Sequence, residues 1–172
     1  MTVLVTAASE HGATRQIAAR IGYELTEQGL EAELKNPEDV HDLSQYDAYV
    51  VGSAIYLGQW LKPATNFVET HAGELAQQPT WLFSSGPIVG DPPEPDPHDA
   101  AKGDALAETV HAREHKLFAG KLDKSKLNWC EKIAVRAAHA SEGDYRDWQA
   151  IDEWAAGIAR ELQQERASTS ST

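Results

Sequence analysis

Short apolar runs alternate with longer stretches of helical periodicity from the first residues onward. Thr2–Thr6 is an apolar run of the kind found in a strand buried on both faces. From Ala13 to Gln28, Ile17, Ala18, Ile21 and Leu25 recur at helical spacing, and Gly29 supplies a C-cap. Ala32 and Leu34 alternate with Glu31, Glu33 and Lys35, as in a strand near a sheet edge, and Pro37 ends the run. Ala48–Val51 predicts a third strand, closed by Gly52. Pro63 then opens a helix whose Ala64, Phe67, Val68 and His71 share a face before Gly73. Thr80–Phe83 is a fourth strand. Ser84–Gly103 holds five of the eight prolines and predicts irregular chain. Asp104–Glu114 reads as a modest helix with Leu106 and Val110 inward, and His115–Phe118 as a fifth strand. The last helix, Asp147–Gln164, keeps Trp148, Ile151, Ala155, Ile158 and Leu162 on one face.

Five strands separated by helices need crossover connections, so the sheet is parallel and covered on both faces. The expected architecture is a doubly wound α/β domain in three layers, α/β/α, with strand order 2-1-3-4-5. It spans residues 1–164 and leaves 165–172 as a frayed polar tail. Such a sheet places its binding crevice at the carboxyl ends of strands one and three. The loops that matter are therefore Thr6–Thr14, Gly52–Leu61 and Ser84–Asp91.

Composition narrows the function. Fifteen Lys and Arg against 27 Asp and Glu leave a charge of −12, which excludes the basic footprint of a nucleic-acid binder. The lone cysteine, Cys130, has no internal disulfide partner, and no Cys/His cluster has zinc spacing. His111 and His115 stand four apart without Glu beside the first, so no metal is expected there. No apolar run reaches the ~18 residues of a spanning helix, and Val3-Leu4-Val5 follows the N-terminus with no basic leader. The chain is expected in the cytoplasm. The sequence leaves its oligomeric state open.

After the first strand the chain reads Ser9-Glu10-His11-Gly12-Ala13-Thr14 and opens directly into a helix. Two hydroxyls, a glycine between them and free N–H groups at a helix start form an anion cradle. It lacks the Gly-Lys-Ser/Thr of a nucleoside-triphosphate loop, and Gly-x-Gly-x-x-Gly occurs nowhere in the chain. A phosphomonoester held by hydrogen bonds and the helix dipole suits so acidic a protein. Taken alone, Ser9 and Thr14 are equally the residues of an ordinary helix cap.

Ser9-x-x-Gly12-x-Thr14 after an N-terminal strand resembles the phosphate loop of flavodoxins. Ser9–Ala18, Val51–Trp60 and Gly143–Trp148 together are closer to the menaquinone-dependent protoporphyrinogen oxidase branch of that superfamily, over about Thr2 to Leu162. The resemblance implies a flavodoxin-like fold that binds FMN without a covalent link. Phosphate would rest on Ser9, Glu10, His11, Gly12, Ala13 and Thr14. The ring would lie over Ser53, Ala54, Ile55 and Tyr56, beside Gly58, and under Ser84, Ser85 and Gly86. Tyr56 and Trp60 offer flat surfaces for ring stacking, and are equally suited to packing at the rim. Flavodoxin carriers commonly cover the second ring face with an aromatic from the loop after strand four. Ser84-Ser85-Gly86-Pro87-Ile88-Val89-Gly90 has none.

One open ring face favours an FMN-dependent oxidoreductase over a pure carrier. No side chain is an obvious general base, so the flavin would carry the chemistry. The resemblance implies protoporphyrinogen IX as reductant, with a small-molecule or quinone electron partner, menaquinone in that branch. The alternatives are an FMN-containing electron carrier, a flavin-dependent reductase working with a protein partner, or a flavin-free interaction domain. The Pro/Asp stretch Asp91–Asp99 would form a lid, or else a solvated surface loop. Lys116–Arg136 gathers six of the fifteen basic residues with only Asp123 and Glu131 opposing. That segment is either a solvated rim or a docking surface for an anionic partner, which would bring the protein to the inner membrane surface.

Overall fold

The computed structural model describes residues 1–86, 88–89, 94–95, 97–122 and 143–169. The chain opens with β1 (Thr2–Ala8), α1 (Ala13–Glu27), β2 (Glu31–Lys35), β3 (Ala48–Tyr56) and β4 (Gln59–Trp60). It continues through α2 (Lys62–Thr70), α3 (Ala72–Leu75), β5 (Thr80–Gly86), β6 (Ile88–Val89) and β7 (Glu94–Pro95). It ends with α4 (Ala100–Thr109), β8 (Glu114–Ala119), β9 (Lys121–Leu122), β10 (Gly143–Asp144) and α5 (Trp148–Thr169). The main sheet runs β2-β1-β3-β5-β8, all parallel, which is the 2-1-3-4-5 order of a flavodoxin-like three-layer fold.

The uninterrupted apolar runs exist because the central strands are buried on both faces. Val3, Val5, Val50, Trp81 and Phe83 point to the side covered by α1 and α5, among Ile17, Ile21, Ile151 and Ile158. Leu4, Tyr49, Val51 and Leu82 point to the other side, against Phe67 and Val68 of α2 and Leu106 of α4. β2 sits at the edge. There Tyr46 donates to Glu33, and Lys35 donates to Tyr46 at 2.9 Å, so charged groups line the exposed strand. Gly52 is fixed by packing, because a Cβ there would stand 2.1 Å from the Phe83 ring. The Arg20 guanidinium grips Asp152 at 2.6 and 2.7 Å and ties α1 to α5.

Four boundaries depart from the sequence reading. β3 runs on to Tyr56 and folds back on β4 as an antiparallel hairpin, pairing Ile55 with Trp60 and Tyr56 with Gln59. The helix expected over Asp104–Glu114 instead occupies Ala100–Thr109. His111 takes a left-handed φ of 51° and ends it, and Glu114 joins β8 opposite Trp81 while accepting from Trp154 Nε1 at 2.7 Å. The helix expected from Pro63 to before Gly73 ends at Thr70, and a further short helix, α3, follows it directly. The frayed tail expected from 165 is helical through Thr169. There Ser168 and Thr169 donate back to the carbonyls of Gln164 and Glu165, and Arg113 Nη1 bonds Glu165 at 2.6 Å.

β6 and β7 form a small antiparallel pair within the stretch expected to be irregular. Of the stretch Asp91–Asp99 expected as a lid, residues 91–93 and 96 lie outside the described residues. So do residues 123–142, which hold most of the basic segment and Cys130. Lys116 lies on β8 and Lys121 on β9, which pairs with β10.

Candidate functional site

Sheet register brings the three predicted loops into one row. Ala8 stands opposite Ser53, and Ser53 opposite Ser84, at the carboxyl edge of β1, β3 and β5. The crevice therefore lies where a doubly wound sheet places its ligand.

At one end is the anion cradle. Gly12 is the N-cap of α1 with a left-handed φ of 87°, a conformation glycine adopts without penalty. Its N–H donates to Ser9 Oγ at 3.0 Å, which closes the loop onto the helix start. No side chain caps α1 and no acidic residue sits in its first turn, so the positive end of the helix dipole is left for a ligand. A Cβ on Gly12 would meet nothing within 4 Å, so the approach is open. Glu10 and His11 are exposed, Ser9 and Ala13 half-buried, and Thr14 buried in the first turn. Arg15 donates to Asn36 at 2.7 Å and, with Ser9, Glu10, Pro37 and Lys62, lines a cleft of about 420 Å³.

A second segment braces this cradle from behind. The Arg146 side chain is only 5% exposed and grips Asp144 through two bonds of 2.8 and 2.5 Å. Its Nη1 reaches Gln16 Oε1 at 2.6 Å and the Ala13 carbonyl at 3.3 Å, and its guanidinium stacks 4.5 Å from the Trp148 ring. The Arg146 hydrogen bond holds the Asp144 carboxyl below the ordinary carboxylate range, against the opposing effect of burial. The stretch Gly143–Trp148 carries a resemblance in the sequence, but nothing local there shows that Arg146 clasps a helix 130 residues away.

The ring end is built differently. Leu57 and Gly58, with φ of 51° and 71°, make the two-residue turn of the β3–β4 hairpin, and Leu57 is 74% exposed at its tip. Ser53 Oγ accepts from Leu61 N–H at 2.9 Å and donates to the Ala54 carbonyl at 2.8 Å, so it closes the hairpin's base. Ala54 and Tyr56 are half-buried and Ile55 buried. Trp60, read from the sequence as a stacking surface or rim residue, is only 4% exposed and donates from Nε1 to Ser84 Oγ at 2.7 Å. Ser84 and Ser85 are buried, and the Gly86 carbonyl accepts from Gly120 N–H at 2.8 Å.

Sequence reasoning missed Asp99. It is 8% exposed and lies between the two ring-end loops: a Cβ on Gly86 would come within 3.4 Å of its Oδ2, and one on Gly58 within 4.0 Å of its Oδ1. It sits among prolines with no motif, so only the fold reveals its position.

Such a crevice on such a sheet defines a flavodoxin-type redox domain. The flavodoxin domain family model matches residues 4–149, and the chain belongs to that family. Membership implies an FMN-binding site, and the open helix start and its glycine have the chemistry to fit a phosphate. Among curated proteins, the chain is similar to protoporphyrinogen IX dehydrogenase [quinone] of Escherichia coli K12, at 23% identity over 92% of this chain and 95% of that one. Among solved structures, a flavodoxin from the domain Archaea superposes with a TM-score of 0.65 at 16% identity, covering 95% and 99% of the two chains. The rubredoxin:oxygen oxidoreductase of Desulfovibrio gigas superposes at 0.67 and 14% identity, over 96% of this chain and 37% of that one.

Proposed function

We propose that this protein is an FMN-dependent oxidoreductase that takes electrons from a flat, reduced tetrapyrrole such as protoporphyrinogen IX and delivers them to a quinone. The observation that carries the reading is similarity to a quinone-linked protoporphyrinogen IX dehydrogenase over 92% of this chain and 95% of that one. Bound FMN supplies two-electron chemistry. Ser9 and Thr14 hydroxyls and the N–H groups of Ala13 and Thr14 would hold the phosphate, the Gly12 N–H already donating to Ser9 Oγ. Backbone groups of Ser53–Tyr56 and Ser84–Gly86 would hold the ring, with the Tyr56 side chain offering an aromatic surface beside it. Gly143–Trp148, held by Arg146, keeps the helix start in place.

The test is direct. Protein loaded with FMN is mixed anaerobically with protoporphyrinogen IX and a menaquinone analogue, and porphyrin fluorescence is followed. Porphyrin should form only when all three are present. A rate no higher than that of free FMN would overturn the substrate assignment. Colourless protein that takes up no added FMN would overturn the cofactor.

A second reading, an electron carrier, is favoured by full-length superposition on flavodoxins. The Streptococcus pneumoniae flavodoxin covers 96% of this chain and 99% of its own, with a TM-score of 0.61 at 17% identity. A carrier would pass electrons to a protein partner and show no quinone-dependent turnover.

A further inference from the structure

Four residues from four elements form one hydrogen-bond chain that runs from the buried Trp60 behind the ring end of the crevice to the exposed Asp104. Trp60 Nε1 on β4 meets Ser84 Oγ on β5 at 2.7 Å. Ser84 Oγ meets His115 Nε2 on β8 at 2.7 Å, and His115 Nδ1 meets Asp104 Oδ1 on α4 at 2.7 Å. We propose that Ser84, His115 and Asp104 are positioning residues whose relay holds Trp60, and through it the β3–β4 hairpin, in the ring-binding shape.

Donor bookkeeping sets the direction of the chain. The indole N–H can only donate, so Ser84 Oγ accepts from it. The Asp104 carboxylate accepts the His115 Nδ1 proton, which leaves Nε2 bare to accept the Ser84 hydroxyl proton. Every polar atom between Trp60 and Asp104 then has a partner. Burial raises the stakes: Ser84 is 0% exposed and the His115 side chain 3%, so a broken link leaves an unpaired group away from water. The ring cannot turn aside. α4 lies so close that a Cβ on Gly103 would stand 2.2 Å from His115 Nε2, and the Trp60 and His115 ring centroids are 6.3 Å apart.

Although Ser, His and Asp succeed one another as in a hydrolase, the serine is sealed and its oxygen already accepts from the indole. The arrangement serves geometry. Trp60 is paired with Ile55 across the hairpin, one residue from Tyr56, so fixing the indole fixes the strand that carries the ring contacts. It also explains why Ser84, expected to face the cofactor, has its hydroxyl proton committed to His115.

The relay's bearing on FMN rests on the function proposed above, whereas its bearing on the hairpin does not, so the experiment reads both. Hydrogen exchange is followed by NMR on ligand-free protein, at the Trp60 indole and the Leu57–Gln59 amides. Asp104 is 60% exposed on a helix, so Asp104→Ala keeps the fold, and Ser84→Ala cuts the chain at its centre. Both variants should speed indole and hairpin exchange, Ser84→Ala by roughly tenfold and Asp104→Ala by less, while core amides of β1 and β3 stay unchanged. Asp104→Asn, which keeps an acceptor for Nδ1, should restore the wild-type rates. Riboflavin and FMN affinities should fall together in Ser84→Ala, because the ring end and not the phosphate end is loosened. Unmoved indole and hairpin exchange in both variants, or exchange that changes only with the whole domain, overturns the relay. If wild-type protein binds neither riboflavin nor FMN, the cofactor reading falls, and the exchange rates still decide the relay.

Discussion

At Ser9–Thr14 one unbroken stretch of chain makes the whole anion cradle, whereas the ring end is assembled from Ser53–Trp60, Ser84–Gly86, Asp99–Asp104 and His115. The cradle works through backbone N–H groups and one left-handed glycine, and it faces open space. The ring end works through buried side chains already bonded to one another. A backbone cradle tolerates change at most side chains, because its donors belong to every residue. A buried side-chain network tolerates little, since each deletion strands a partner. The first should lose ligand without losing the fold, and the second should lose order before it loses ligand.

The largest test of that contrast is Gly52→Ala. A Cβ placed 2.1 Å from the Phe83 ring must displace the ring or the strand that leads into the hairpin. Urea unfolding should show a loss of about 3 kcal/mol, the upper part of the overpacking range. A wild-type midpoint would mean that the ring end is looser than its packing implies. Thr14→Ala comes next and acts on the opposite end. Losing one hydroxyl bond to a charged phosphate costs about 1.5–3 kcal/mol, a ten- to hundredfold drop in FMN affinity. Riboflavin titration of the same variant should match wild type, and a parallel loss for both ligands would refute the phosphate assignment.

Acid titration separates the ends by their charges. Hydrogen bonds from Arg146 and from Arg20 lower the carboxyl pKa values of Asp144 and Asp152 in the folded protein. Groups depressed in this way stabilise fully above the unfolded carboxylate pKa of about 3.9, and the contribution is lost as pH falls through the folded values. Thermal midpoints measured down the pH scale should therefore hold level until about pH 4 and then fall. Arg146→Met should flatten the Asp144 part of that fall. A decline already under way near the ordinary histidine value of about 6.5 would move the weight to a histidine. The smallest effect is at the hairpin tip, where Leu57 holds a left-handed φ with its side chain in solvent. Leu57→Asn should raise stability by about 0.5–1 kcal/mol in urea, because asparagine adopts that conformation more readily.

The sequence alone shows the five strands, and the common order for such a parallel sheet is the one the structure has. Each central strand is an apolar run buried on both faces, and the polar alternation of Glu31–Lys35 marks the edge. The anion loop is just as legible, since hydroxyls, glycine and helix start follow one another within a few residues. The hairpin escapes that reading because its turn is Leu57-Gly58 and not the Asn-Gly or Asp-Gly pair that signals a tight turn. Trp60 has the composition of a stacking surface, and only the arrival of Ser84 from 24 residues away turns it inward. His115 and Asp104 have no joint signature, because the register of β8 against β5 and the seat of α4 on a glycine bring them together. Arg146 meets Gln16 across 130 residues in the same way. Local propensity and burial pattern act over a few residues and can be read there. Contacts between distant side chains exist only once the sheet has fixed its register, so the tertiary structure alone decided the side-chain network behind those loops.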